Sequence, residues 1–92
     1  MTREIITLAL ESEGLKAGAQ GFSIPEDRDA TCLISTVGEL FTIARVVAME
    51  LRDKVLFLGT AKHERFYFAY ESVLGLRLMR PQDKERSAGF AR

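Results

Sequence analysis

Cysteine is nearly missing: Cys32 is the single one among 92 residues, and His63 is the single histidine. One thiol excludes an internal disulfide, and no Cys/His metal framework can be assembled from so few ligands. Net charge is missing too, since 13 Lys and Arg balance 13 Asp and Glu. Zero net charge argues against a nucleic-acid partner without excluding one, because phosphate binding draws on a basic surface. Long apolar runs are also absent. Val46 to Met49 and Val55 to Leu58 fall far short of the roughly 20 residues that span a bilayer, so no membrane segment is expected. Nor does Arg3-Glu4 followed by Ile5 to Leu10 have the long apolar core of a secretory signal. With a lone Cys32 beside Leu33 and Ile34, a reduced, cytoplasmic setting is expected.

What is present suits one small globular domain. Hydrophobic residues make up 47% and charged residues 28% of the chain, ordinary for a globular protein and wrong for a disordered or collagen-like one. Residues 1–80 read as a single domain and 81–92 as a mobile, polar C-terminal tail. So short a chain buries a modest share of its surface, which makes self-association a natural supplement. Charge is unevenly spread. Residues 1–30 hold Arg3, Lys16 and Arg28 against six acids, whereas 77–92 hold five bases against Asp83 and Glu85.

The richest stretch runs from Leu40 to Met79. Polar groups at Arg52-Asp53-Lys54 and Lys62-His63-Glu64-Arg65 separate β-branched and aromatic runs, the pattern of strands and turns. Strands are expected at about 40–51, 55–61, 65–70 and 73–79. Phe66, Phe68 and Tyr70 should share the core face, followed by Leu74, Leu76 and Leu78. The fold class is therefore mainly β, either a small SH3/Sm-like barrel or a strongly bent antiparallel meander. The alternative is an α+β fold with a helix at about 37–52: Thr36 and Glu39 make a capping-box pattern, and apolar residues recur there at helical spacing. Strand is preferred because an Asp-Lys turn into Val55 makes a natural hairpin. Residues 2–13 suit either a short helix capped by Thr2 or a strand. A short strand near 22–24, or pairing by 31–35, should break up the glycine-punctuated stretch that follows.

Few residues point to chemistry. His63 sits in a turn with no second group to orient it, and Cys32 has no nearby base, so no catalytic residue is expected. Glu26, Asp27 and Asp29 lack the spacing and central glycine of a calcium loop, so no metal is expected. Gly14, Gly18 and Gly21 match neither phosphate-loop nor dinucleotide spacing, so no cofactor is expected. The aromatic run 66–70 beside basic residues has some character of a binding surface. The candidate binding residues are Arg45, Lys62, Arg65, Tyr67 and Arg77. The expected function is a non-catalytic protein-binding or assembly module that self-associates, with a protein partner. An RNA-binding small β-barrel is the alternative, and a small enzyme with a site between subunits stands third.

Overall fold

The structure, a computed structural model, describes residues 1–19 and 21–79. Among the described residues, helix α1 (Arg3–Ser12) is followed by seven strands. These are β1 (Phe22–Ser23), β2 (Asp29–Thr36), β3 (Glu39–Ile43), β4 (Val46–Leu51), β5 (Val55–Thr60), β6 (Arg65–Ala69) and β7 (Val73–Met79). A single 3-10 turn, Tyr70–Ser72, joins the last two. One sheet has the order β1-β4-β5-β6 and the other β3-β2-β7, with every pairing antiparallel. The architecture is mainly β with a short N-terminal helix, and the two sheets do not close into a barrel. The polar tail expected at 81–92 lies outside the described residues.

Helix, not strand, is the outcome at the N-terminus, and its ends explain why. The Thr2 hydroxyl accepts from the Ile5 N–H at 3.2 Å, satisfying one of the unpaired donors of the first turn. At the other end Leu15 N–H donates to the Leu10 carbonyl at 3.1 Å and Gly14 N–H to the Glu11 carbonyl at 3.0 Å. That pair of bonds is a Schellman stop. It requires the left-handed backbone that Gly14 adopts, at φ +84°. Leu10 and Leu15, the two residues the motif brings together, are both buried. Ile6 and Leu10, one turn apart, are the side chains that dock the helix on the core.

The 37–52 region is strand, and the helical alternative is overturned, but it is two strands rather than one. Ile43 pairs with Cys32 in the three-stranded sheet, whereas Val46 pairs with Thr60 in the four-stranded sheet. Ala44-Arg45 carries the chain between sheets, with Arg45 at φ +56°. A register shift between Val46 and Ala48 follows at once. The corner and the bulge each insert one residue into a period-two pattern. The buried positions consequently become Ile43, Val46 and Met49, three apart, which is why a helical period fits the same letters. Val47, which strict alternation from Ile43 would place on the inner face, is instead 42% exposed.

The core centre also differs from expectation. Ala30, Cys32 and Ile34 on β2 and Leu56 and Leu58 on β5 are buried, together with Val46, Met49, Val73 and the helix residues Ile6 and Leu10. Phe66, Phe68 and Tyr70 do lie toward the core, but as a half-buried rim packed against it. β6 is an edge strand, and among the described residues no strand pairs with its outer flank. On β7 a register shift beside Leu33/Ile34 breaks the alternation. Val73 becomes fully buried, while Leu74 is 57% exposed.

Two contacts tie the loops to this frame. Arg28 donates from Nε to the Met79 carbonyl at 2.8 Å and from Nη1 to the Glu13 carbonyl at 3.2 Å. Its Nη2 also pairs with Glu13 Oε1 at 2.8 Å. One guanidinium thus joins the end of α1 to the end of β7. Gly21, at φ +136°, packs so closely on β4 that a Cβ there would lie 2.1 Å from the Met49 carbonyl oxygen.

Candidate functional site

The outer face of the four-stranded sheet carries a row set by strand register: Glu50 on β4 lies opposite Phe57 on β5, which lies opposite Tyr67 on β6. Cross-strand neighbours of this kind touch. The Phe57 and Tyr67 rings are 5.2 Å apart and inclined at 50°. A flat β-surface normally leaves such rings to water, yet Phe57 is only 7% exposed. Its cover is two arginines. Arg65 Cζ lies 5.1 Å from the Phe57 ring centroid, and Arg52 Cζ lies 5.9 Å from Phe57 and 5.5 Å from Tyr67. Gly59, the β5 residue opposite Arg65, makes room, since a Cβ there would already meet the edge of the Phe57 ring at 3.4 Å.

Polar contacts fix the arrangement. Arg52 donates from Nε and Nη2 to Glu50 Oε1 at 3.1 and 2.8 Å, and this hydrogen bond pushes the Arg52 pKa further up from its ordinary value. Arg65 Nη2 donates to the Tyr67 hydroxyl at 3.3 Å. Tyr67 itself remains 48% exposed, with Arg52 over its ring and Arg65 at its hydroxyl. A guanidinium over an aromatic ring is attracted by the negative face of the ring.

Beside this face lies an open cleft of about 720 Å³ between the start of α1 and the sheet. Arg3 and Thr7 from the helix, and Glu50, Arg52 and Arg65 from the sheet, line it. Among the described residues three guanidinium groups therefore meet one carboxylate there. Among the described residues Arg3 and Arg65 take part in no ion pair; the two pairs found are Arg28–Glu13 and Arg52–Glu50.

The sequence-derived binding residues fall in three places. Arg65 and Tyr67 are together on the outer face just described. Arg45 and Lys62 line a separate recess of about 480 Å³ with Ala44, Thr60 and Glu64. Arg77 is on β7, opposite Thr31 in the other sheet. Arg3, Arg52 and Phe57 are functional candidates that the sequence pattern does not single out. Arg52 and Phe57 stand in separate runs of sequence, and only the β4–β5 register brings them side by side. Arg3 is brought in by the docking of the helix.

The remaining titratable residues have structural positions. Cys32 is fully buried, and burial pushes its thiol up to about 12, the opposite of an activated nucleophile. His63 closes the β5–β6 turn, with a left-handed backbone at φ +67° and its N–H donating to the Thr60 carbonyl at 3.0 Å. Among the described residues no three His, Cys, Asp or Glu side chains converge as metal ligands, and no helix is long and apolar enough to cross a membrane. Compared with known proteins, the chain matches no family model, no curated protein and no solved structure.

Proposed function

We propose that this protein is a non-catalytic protein-binding and assembly module that self-associates. The observation that carries the reading is the set of open strand edges. β3 and β7 flank one sheet and β6 ends the other, and among the described residues no strand covers their outer sides. Unpaired backbone donors and acceptors on such edges are a template for another chain. Apolar side chains stand beside them: Leu40 on β3 is 65% exposed, and Val37 at the β2–β3 turn and Leu74 on β7 are also open to water. A second copy of this chain, or a protein partner presenting an extended strand, satisfies both needs at once. A small barrel of the SH3/Sm type is the finer form of this reading, supported in outline by the chain's passage from one sheet to the other between β3 and β4 and by a 3-10 turn before the last strand. That is likeness of layout, and function is argued from the surface rather than from it. A cytoplasmic setting accords with the free, buried thiol.

Sedimentation equilibrium tests this reading. A dimer or larger species is expected, shifting toward monomer in Leu40→Lys and Leu74→Lys at unchanged circular dichroism. A wild-type chain that stays monomeric at about 100 μM, well above the affinity of a stable homodimer, would overturn it. The RNA-binding alternative is favoured by the half-exposed Tyr67 ring beside arginines.

A further inference from the structure

We infer that the cleft bounded by Arg3, Arg52 and Arg65, with the half-exposed Tyr67 ring beside it, is a binding site for a nucleotide, its phosphate in the cleft and its base on the exposed part of the ring. This goes beyond the assembly reading and does not depend on it. It shares its chemistry with the RNA alternative but requires a nucleotide unit, free or within a strand, rather than an RNA.

Three observations converge. The first is charge: among the described residues Arg3, Arg52 and Arg65 line one cleft with Glu50 as the single carboxylate, an excess of two positive charges there, in a chain whose overall balance is zero. Arginine is the residue suited to this, because its planar fork meets phosphate oxygens in pairs. The second is availability. Among the described residues Arg3 and Arg65 have no acidic partner within ion-pair distance, so their charge is open to a ligand. The third is the adjoining ring. Tyr67 is held by the Arg65 hydrogen bond at 3.3 Å and by its 5.2 Å approach to Phe57, so it presents a fixed, half-exposed surface with little ordering still to be done. Stacking on such a ring tolerates any base, because every base presents a flat π-face. Arg65 and Arg52 touch the rings and line the cleft at once. A ligand with an anionic group next to a flat aromatic one therefore meets both features together, whereas a bare anion or a bare aromatic meets one.

Glu50 sets the strength. Its carboxylate occupies Arg52 through two hydrogen bonds, so phosphate has to compete with it. Replacing that carboxylate by an amide should release Arg52 and tighten binding.

The experiment titrates the full chain with uridine monophosphate, with a fluorescein-labelled decauridylate and with inorganic phosphate, following tyrosine fluorescence or anisotropy. Arg65→Gln and Arg3→Gln should each weaken nucleotide binding about tenfold, as expected when one charge-assisted hydrogen bond is removed. With the oligomer, each should also make the salt slope shallower by about 0.7, the value for one phosphate of a single strand that is no longer neutralised. Tyr67→Leu should weaken uridine monophosphate and the oligomer but leave inorganic phosphate unchanged. Glu50→Gln should tighten all three, and Arg77→Gln on the other sheet should change nothing. Similar affinity for the mononucleotide and the oligomer identifies a free nucleotide as the ligand; much tighter binding of the oligomer identifies a single strand. Saturation by neither, or equal weakening by Arg77→Gln and Arg65→Gln, would overturn the site. Sedimentation of the same samples reads the assembly proposal separately.

Discussion

Cys32 converts pH into a measure of how tightly the β2 region is closed. Its side chain is fully buried between the strands carrying Ile43 and Leu76, and its thiol is pushed from 9.0 up to about 12 by desolvation. A group whose folded pKa lies above its unfolded value contributes stability in full below the unfolded pKa and loses it as pH rises toward the folded one. Below pH 9 both states hold the proton and nothing changes. Between 9 and 12 the unfolded chain ionises and the native one does not, so stability falls by at most about 1.4 kcal/mol for each pH unit. At pH 10 the loss amounts to about 1–2 kcal/mol, an appreciable part of the stability of a small domain. Urea titrations at pH 8 and pH 10, on wild type and Cys32→Ala, isolate this contribution because the other titrating groups are common to both chains. The wild type should lose about 1–2 kcal/mol more than the variant over that interval. Parallel losses would refute the reasoning, as would rapid reaction of the native thiol with a disulfide reagent at pH 8.

Leu58→Ala removes a fully buried side chain from β5 and should cost about 3–4 kcal/mol in a urea titration, whereas Leu74→Ala should cost less than about 0.5 kcal/mol. Arg28→Gln should cost about 2–3 kcal/mol, because it removes a largely covered guanidinium and leaves the Met79 carbonyl short of a donor; a thermal midpoint unchanged from wild type would contradict that. Gly21→Ala sets a Cβ against the Met49 carbonyl and should detach β1, read as faster amide exchange at Phe22 and Ser23.

Much of the β architecture was legible because turn chemistry marks it. Asp53-Lys54 and the charged group at 62–65 delimit β4, β5 and β6, and Thr2 marks the start of the helix. Face assignment was less legible wherever alternation was broken. The corner at Arg45 and the bulge beside Val47 each shift the pattern by one residue with no glycine or proline to announce them, whereas the bulge beside Leu74 is flanked by Gly75. Phe66 and Phe68 carry the letters of a core strand, but half-burial at a sheet edge depends on having no neighbour, which no local pattern encodes. The candidate site was half visible for the same reason. Arg65 and Tyr67 are two apart on one strand, whereas Arg52, Phe57 and Arg3 join them only through strand register and helix docking. Arg45, Lys62 and Arg77 share their charge but not their location.

The corner at Ala44-Arg45 has a consequence for how the molecule opens. The hairpin it leaves belongs to one sheet and the hairpin it enters belongs to the other, with two residues between them. Neither sheet can therefore fray as a unit without dragging the other's central hydrogen bonds, since Ile43 and Val46 are both anchored in the same apolar interior. The slowest-exchanging amides of β2 and β5 should accordingly share a single opening free energy, that of the whole domain, instead of reporting two sheets that breathe independently.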